Sequence, residues 1–170
     1  MGHTAAELFD RHALAVFRFF RRMTGNTDLA EDLTQEVFVR VVRGLHGYQA
    51  RGREPSWVFR IAHTVLADHL RREGAVPVSV ISLDDALDEP REEPSQLAAL
   101  GFYEALGLLP RAEREVLLLR ELGGLTYVEL AQACETTEEG VRSRLYRARR
   151  LIKRVLSARL TAGGPETGRG

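Results

Sequence analysis

The stretch TYVELAQACETTEEGVRSRLYRARRLIKR, residues 126–154, has the pattern of a short helix, a turn of about four residues and a longer basic helix. This order is typical of a helix-turn-helix unit, whose second helix enters the major groove of DNA. Leu130, Cys134, Val141 and Leu145 fall where the two helices of such a unit pack, and Ala131 is small where they approach closely. We therefore predict a helix-turn-helix in this stretch.

The helix starts and the turn of this unit carry their own signals. Thr126 and Glu129 have the spacing of a capping box, and either Thr136 or Thr137 can cap the basic helix. Glu135 occupies the turn position that glycine usually fills, where a residue held at positive φ costs roughly 1 kcal/mol. We therefore expect a slightly altered turn at Glu135.

The basic helix is a candidate for reading DNA. Arginines near its start can hydrogen-bond guanine edges, and later ones neutralise phosphates. Charge alone gives affinity without sequence choice, so only the first two turns are candidates for base reading. A hairpin of amphipathic helices that does not bind DNA is the alternative. The polar residues around the apolar stripe are Arg142, Ser143, Arg144, Arg147, Arg149, Arg150, Lys153 and Arg154.

The charges are sorted along the chain although the formal net charge is zero. Residues 75–99 hold one basic and six acidic side chains, and residues 100–139 hold three and eight. Residues 140–170 hold nine basic and one acidic side chain, a net charge of +8. Such a segment is typical of a polyanion-binding surface, although a solvated basic helix has the same composition.

Helical periodicity extends over most of the remaining chain, and no stretch alternates convincingly with a period of two. Further capping boxes are predicted at Thr4 with Glu7 and at Asp28 with Glu31. The first helix should bury Leu8, Val16, Phe17 and Phe20. The predicted helices run from about Ala5 to Met23, Leu29 to Arg43, Pro55 to Arg72, Ser95 to Leu108, Pro110 to Leu122, Thr126 to Cys134 and Thr137 to Leu160.

The chain between residues 75 and 95 changes character, with three prolines, six carboxylates and little helical pattern. A short strand over Val76 to Leu83 would lack a partner strand. We predict an all-α protein of two small helical modules, residues 1–74 and 96–160, joined by a flexible acidic linker over residues 75–95. The second module contains the helix-turn-helix, and a disordered glycine-rich tail should follow over residues 161–170.

Two features of the first module suggest binding. Asp32, Gln35, Glu36 and Arg40 flank the apolar stripe of the second helix, where they could be solvated or could contact a protein. The following segment interleaves aromatic and basic residues, which suits unstacked bases with their phosphates. Trp57 is equally consistent with a core position. The members of this segment are Tyr48, Arg51, Arg53, Trp57, Phe59 and Arg60.

Other chemistry has little support. The single cysteine, Cys134, excludes an intramolecular disulfide, and His63 and His69 are six apart and do not share a helix face. No glycine-rich phosphate loop, calcium loop or nucleophile motif is present, so we expect neither an enzyme nor a metal or cofactor site. No apolar run has the length of a membrane span and no signal peptide is visible, so a cytoplasmic location is expected.

Four stretches taken together resemble the extracytoplasmic-function (ECF, group IV) sigma factors of bacterial RNA polymerase. They are DLAEDLTQEVFVRV, WVFRIAHTVLADHLRR, LPRAEREVLLLRELGGLTYVELAQ and GVRSRLYRARRLIKRVL. The resemblance extends from about Leu8 to Leu156, and the pairing of both modules at this separation makes it specific. The third stretch alone is also similar to response-regulator-type helix-turn-helix domains.

The resemblance implies roles for particular residues and partners. Core RNA polymerase would bind the helix that holds Asp32, Gln35, Glu36 and Arg40, and promoter DNA would bind both modules. An anti-sigma factor that covers both modules is a common further partner in this family. The unwound minus-ten strand would contact Tyr48, Arg51, Arg53, Ser56, Trp57, Arg60 and His63. The minus-thirty-five element would contact Arg111, Thr126, Arg142, Ser143, Arg144, Arg147 and Arg150.

This sequence departs from the family's pattern at several points. The family's loop has Ser-Phe, two residues and then Trp, whereas Ser56 here directly precedes Trp57. Thr64 replaces the usual asparagine, Glu73 and Gly74 cut a basic cluster short, and Gly140 replaces the usual threonine. These differences bear on the promoter sequence and the melting geometry.

Two alternatives differ in class from a sigma factor. A stand-alone helix-turn-helix regulator would bind duplex DNA as a dimer, with half-sites about one helical turn apart. The segment around Trp57 argues against it, because a protein that reads duplex DNA has no use for a base-stacking surface. A protein-interaction module without a DNA target is the other alternative, and it predicts that removing Arg142 and Arg144 changes nothing.

Overall fold

The computed structural model describes residues 4–48, 53–74 and 96–162. Seven α-helices, one short 3-10 helix at Leu45–Gly47 and no strand occur in these ranges, which confirms the all-α prediction. None of the helices in these ranges has the length and apolar character that crossing a membrane requires. The α-helices are α1 (Ala5–Thr24), α2 (Thr27–Gly44), α3 (Glu54–Glu73), α4 (Gln96–Leu108), α5 (Arg111–Gly123), α6 (Tyr127–Ala133) and α7 (Glu138–Ala162).

The predicted linker, residues 75–95, lies outside the described residues, and α4 begins directly after it at Gln96. The predicted tail begins two residues too early, because α7 continues through Ala162. The remaining tail residues, 163–170, also lie outside the described residues. Arg51, one of the residues expected at the minus-ten strand, is likewise outside them.

The helix ends follow local capping chemistry. The capping boxes at Thr4 with Glu7 and at Thr126 with Glu129 are both formed, as predicted. The box at Asp28 with Glu31 is wrong, because the Asn26 side chain accepts from the Leu29 backbone N–H and α2 begins at Thr27. Asparagine is among the best N-cap residues, and its position two residues earlier adds half a turn to the helix.

Helices α1, α2 and α3 form the first module around an apolar core. Leu8, Val16 and Phe20 are fully buried as predicted. The prediction for Phe17 is wrong, because Phe17 is only half-buried and Phe19, which was not predicted, is fully buried. The reason is that α1 buries a face which includes Phe19, and the Phe19 ring meets the Phe20 and Phe59 rings edge to face.

The second module contains the predicted helix-turn-helix. Leu130, Val141 and Leu145 are buried between α6 and α7, and Cys134 is half-buried. Glu135 has a φ of 49°, which confirms the strained turn. Of the two candidate caps, Thr137 is the one used: its Oγ1 accepts from the Gly140 N–H at 3.0 Å. Helices α4 and α5 pack along α7 and complete the module.

The two modules pack against each other, which the sequence did not predict. Helices α1 and α3 contact α5, α3 also contacts α6, and the buried apolar residues form one continuous core. Arg114 is buried near this contact and donates to the carbonyls of Gly107 at 3.0 Å and Leu109 at 3.1 Å. It also reaches the Arg22 carbonyl of α1 at 3.5 Å. Burial lowers the pKa of Arg114.

Candidate nucleic-acid and protein interfaces

Helix α7 presents a continuous basic surface. Of the residues predicted for duplex binding, Arg142, Ser143, Arg147 and Arg150 are exposed on α7 and Arg144 is half-buried. A groove of about 700 Å³ runs along this surface. It is lined by Tyr127, Arg142, Tyr146, Arg149, Arg150, Lys153, Arg154 and Ser157. Five of these eight side chains are arginine or lysine and two are tyrosine. The groove therefore suits a nucleic acid, because the cations can contact phosphates and the tyrosine rings can contact sugars or bases.

Two tyrosines in this groove were missed by the sequence analysis. The Tyr127 ring lies near two guanidinium groups, with Cζ of Arg120 and Arg142 at 5.4 and 5.6 Å from its centroid. Tyr146 is 63% exposed among the arginines of α7. A signal for Tyr146 was available, because an aromatic residue four positions after Arg142 shares its helix face.

Several arginines of α7 are paired with acidic residues of their own module. Arg147 Nε lies 2.9 Å from Glu113 Oε1, and Glu113 is buried. Arg142 and Glu138 approach within 3.9 Å, with both side chains about half exposed. Arg147 therefore fixes α7 to α5, whereas Arg142 is held more loosely at the start of the helix.

The other two residues predicted for the minus-thirty-five element lie apart from each other. Thr126 is exposed at the N-terminus of α6, where it caps the helix. Arg111 begins α5 and lines a cleft of about 360 Å³ together with His63, Arg71 and Glu115. The structure thus places Arg111 at the cleft between the modules and not among the residues of the α7 groove.

The predicted polymerase-binding residues share the outer side of α2, with one qualification. Asp32 and Gln35 are exposed and Glu36 is half-buried. Arg40 donates from Nε to Glu36 and from Nη1 to Asp68, each at 2.8 Å, and so joins α2 to α3. Hydrogen bonds with Glu36 and then Asp68 raise the pKa of Arg40, and the bond with Arg40 lowers the pKa of Asp68.

Apolar residues that the sequence analysis did not single out lie on the same module. Phe9, Val39 and Val42 are 48%, 43% and 53% exposed. The Phe9 ring contacts Phe38 of α2 edge to face, with centroids 4.9 Å apart. Exposed apolar side chains on α2 beside its polar residues are typical of a protein-binding surface.

Two members of the aromatic-basic segment stack on each other. The Tyr48 and Trp57 rings are 4.4 Å apart and inclined by 31°, and Trp57 is half-buried beside Gly44. Arg60 is exposed on the same helix. Phe59 is fully buried in the core, so its inclusion in a base-binding segment was wrong. A helix that alternates core and surface positions cannot present every aromatic residue of a sequence run.

Three further residues predicted for the minus-ten strand, Arg53, Ser56 and His63, contact the second module. Ser56 is 3% exposed and its Oγ donates to Glu129 Oε2 at 3.0 Å. Arg53 Nη2 lies 3.3 Å from the same carboxylate oxygen and also bonds the Gly124 carbonyl. Burial opposes ionisation of the Glu129 carboxyl, but its hydrogen bonds from Thr126 and Ser56 outweigh this and lower its pKa.

His63, about two turns after Ser56 on α3, also contacts a glutamate of the second module. Its Nδ1 lies 2.5 Å from Glu115 Oε1 of α5. Burial lowers the pKa of His63, but the hydrogen bond and the charge of Glu115 outweigh burial, so the pKa lies above its ordinary value. The Ala133 carbonyl and the Glu135 carboxylate act in the same direction as Glu115.

Comparisons with known proteins agree with this arrangement. The family Sigma-70 region 2 matches residues 8–76, and the family Sigma-70, region 4 matches residues 100–152. The chain is 30% identical to the ECF RNA polymerase sigma factor SigM of Bacillus subtilis over 155 residues, 88% of this chain and 93% of SigM. It is 34% identical to the ECF RNA polymerase sigma factor SigE of Mycolicibacterium smegmatis over 89% of this chain, but spans only 61% of that relative.

The fold has solved counterparts as well. The sigma factor RpoE of Bartonella quintana, solved in complex with the anti-sigma factor NepR, superposes with a TM-score of 0.68 at 23% identity. The match covers 85% of this chain and 91% of that one, and at this identity it supports the fold alone. The two family matches and the full-length similarity to SigM decide the family. The chain belongs to the extracytoplasmic-function sigma factors of RNA polymerase.

Proposed function

We propose that this sigma factor uses three separate surfaces. The outer side of α2, with Asp32, Gln35 and Glu36, binds core RNA polymerase, and the apolar Val39 and Val42 extend that contact. The side of α3 with Trp57 and Arg60, together with Tyr48, holds the unwound minus-ten strand. The groove on α7 binds the minus-thirty-five duplex.

The α7 groove is the observation that carries this proposal. It combines five cationic side chains and Tyr146 on the second helix of a helix-turn-helix with Tyr127 at the start of the first helix. Such a helix enters the major groove with its N-terminal residues at the base edges. Arg142 and Ser143 lie in the first turns and are exposed, which suits base reading. Arg150, Lys153 and Arg154 lie further along, which suits phosphate contacts.

The proposed role also has consequences for the cellular location of the protein and for its partners. A factor that acts with core polymerase on promoter DNA works in the bacterial cytoplasm and needs no catalytic residues of its own. We also propose that an anti-sigma factor holds the chain inactive, because the structurally similar RpoE was solved in complex with one.

The test is transcription with purified core polymerase and a promoter selected by the protein itself. Specific initiation should require the added protein. Arg142→Ala with Arg144→Ala should abolish promoter use and leave core binding intact. Arg142→Lys with Arg144→Lys keeps the charge but loses bidentate contacts with guanine, so it should retain duplex affinity while losing sequence discrimination.

A matched variant addresses the polymerase surface. Asp32→Arg with Gln35→Arg should remove core binding and leave binding of the isolated duplex unchanged. Arg43→Ala, an exposed change near the end of the same helix, serves as the control. The proposal fails if the protein binds duplex DNA tightly but shows no affinity for core polymerase under any condition.

A further inference from the structure

Tyr127 connects the two helices of the helix-turn-helix to α5. It is the first residue of α6 and is half-buried at the groove of α7. The Cζ atoms of Arg120 and Arg142 lie over its ring, 5.4 and 5.6 Å from the centroid. Both distances are within the reach of a cation–π contact, about 6 Å. The ring therefore contacts one arginine of α5 and one arginine of α7.

The contact with Arg120 holds the ring in place. Arg120 is half-buried, and its Nη1 donates to the Leu125 carbonyl at 2.6 Å. Its backbone carbonyl accepts from the Gly124 N–H at 3.0 Å, where α5 ends. The capping box of Thr126 fixes the backbone directly before the ring. Tyr127 therefore has a rigid backbone on one side and an anchored guanidinium on the other.

Arg142 is the more mobile partner of the ring. Its side chain is 63% exposed in the first turns of α7, and its approach to Glu138, at 3.9 Å, is longer than a hydrogen bond. A long exposed side chain samples many rotamers, and fixing one rotamer on binding costs free energy. The contact with Tyr127 restricts Arg142 before DNA is bound, so it reduces that cost.

The chemistry of this contact suits a side chain that still has to bind DNA. A cation–π contact acts on the charge of the guanidinium as a whole. A carboxylate accepts from the N–H donors instead, as Glu113 does from Arg147 Nε at 2.9 Å. The ring of Tyr127 therefore orients Arg142 and leaves its N–H donors to the two acceptors that guanine presents in the major groove.

We propose that Tyr127 is a positioning residue for recognition of the minus-thirty-five element, with its ring, held against Arg120, preorganising Arg142 for base reading. This inference rests on the proposed role of α7 in binding duplex DNA. Because the ring acts through Arg142, its effect is confined to sequences that Arg142 reads. Affinity for unrelated duplex DNA comes from phosphate contacts along α7, and loss of the ring leaves these contacts unchanged.

Four variants of the full-length chain separate the ring from the hydroxyl group and from the fold. Tyr127→Leu removes the ring, whereas Tyr127→Phe keeps the ring and removes only the hydroxyl group. Val128→Ala is the control, because Val128 is the next residue of α6 and is 48% exposed. Arg142→Ala removes the group that the ring positions. Fluorescence anisotropy gives the affinity of each variant for a duplex selected by the parent chain and for a scrambled duplex of equal length.

The ring should contribute to specific binding only. Tyr127→Leu should weaken binding of the selected duplex about fivefold and change binding of the scrambled duplex by less than about twofold. Tyr127→Phe and Val128→Ala should match the parent chain with both duplexes. In an Arg142→Ala background, Tyr127→Leu should have no further effect, because the group that the ring positions is already absent.

A second measurement uses the parent chain and does not depend on the folding of Tyr127→Leu. Ring currents displace the resonances of protons near an aromatic face. The side-chain protons of Arg142 should therefore resonate upfield of those of Arg150, which is exposed on the same helix. Nitrogen-15 relaxation at Nε should show less motion for Arg142 than for Arg150. Both differences should persist in Tyr127→Phe.

Two results would overturn the inference. One is equal weakening of the selected and the scrambled duplex by Tyr127→Leu, since the ring would then support the fold or a phosphate contact. The other is equal motion at Arg142 and Arg150 in the parent chain, since the ring would then hold nothing in place. Base reading by α7 is decided separately: it fails if Arg142→Ala distinguishes the two duplexes as well as the parent chain does, and it stands if Tyr127→Leu alone has no effect.

Discussion

Replacing Gly123 by alanine is the most direct perturbation of the contact between the modules. Gly123 is the last residue of α5 and is buried. A Cβ atom there would lie 2.6 and 2.9 Å from Cγ and Cβ of Phe59 and 2.8 Å from Cδ1 of Leu125. Leu125 Cδ1 is the end of a flexible side chain and can rotate away. Phe59 Cβ is fixed to the backbone of α3, and its ring packs against Phe19.

The magnitude follows from which neighbour can yield. Overpacking of a well-packed site costs about 1–3 kcal/mol. Alanine stabilises a helix by about 1 kcal/mol relative to glycine. This gain is the same whether the two modules are in contact (closed) or apart (open), so it does not change the equilibrium between the two states. If separation of α5 from α3 relieves the overlap, the ratio of open to closed molecules rises by about 5-fold to 150-fold, at 1.4 kcal/mol for each factor of ten.

The assay is the distance between labels at Leu14 and Leu160, measured by pulsed electron spin resonance in full-length chains. Gly47→Ala is the control, because a Cβ at Gly47 meets nothing within 4 Å and its φ is not in the left-handed region. The Gly123→Ala distribution should gain a longer component that the Gly47→Ala distribution lacks. Thermal unfolding measured in parallel reports whether each variant remains folded.

One result would refute the reasoning. If Gly123→Ala lowers the unfolding temperature while the distance distribution stays unchanged, the overlap is absorbed inside the core around Phe59. The modules would then behave as one rigid body. An interface of that kind could not open to expose Ser56 and His63.

Three further predictions address single residues. When the two modules are in contact, the pKa of His63 lies above 6.5, so protonation of His63 stabilises that contact. This contribution is complete below about pH 6.5 and is lost as the pH rises through the raised pKa. His63→Gln should abolish this pH dependence of the label distance. Glu135→Gly should stabilise the chain by about 1 kcal/mol, because the φ of 49° at Glu135 suits glycine. The midpoint temperature of unfolding should rise by about 2–4 °C at pH 8.5, where loss of the Glu135 charge near His63 matters least. An unchanged or lower midpoint contradicts this prediction. Arg142→Ala with Arg144→Ala should leave the affinity for core polymerase within about twofold of the parent chain while promoter-specific transcripts disappear; equal transcription by the parent and the variant would remove α7 from promoter recognition.

The helices could be predicted because their signals are local. Capping boxes, glycines at helix ends and the 3.6-residue periodicity all act within a few residues, and Gly25, Gly74 and Gly124 adopt the left-handed conformation that ends a helix. The helix-turn-helix followed from the same kind of signal, including the positive φ at Glu135. The error at Asp28 arose because Asn26 and Asp28 are both good N-caps, and the choice between them depends on how α1 enters α2.

The contact between modules could not be predicted in this way. Phe59 and Ser56 lie on α3 at positions where periodicity alone cannot separate a core shared by two modules from a ligand-binding face. Gly123 appeared only as a helix terminator, and its role in the approach of α5 to α3 depends on residues about 64 positions apart. The sequence also gave no reason to expect that Glu129, already used in a capping box, would bind Ser56 as well.

The acidic stretch between residues 100 and 139 acquires a physical meaning from these contacts. Its carboxylates pair with cations of both proposed DNA-binding surfaces: two with α3 and its preceding residue, and three with α7. The pairs are Glu129 with Arg53, Glu115 with His63, Glu113 with Arg147, Glu121 with Arg149 and Glu104 with Arg159. The pairs with α7 stay within one module, where they restrict the positions of three of its arginines. The pairs with the first module cross the interface, so any phosphate bound at Arg53 or His63 would compete with these two glutamates for the same donors. The acidic residues of this stretch therefore hold arginines of α7 in place and, across the interface, occupy donors of the first module.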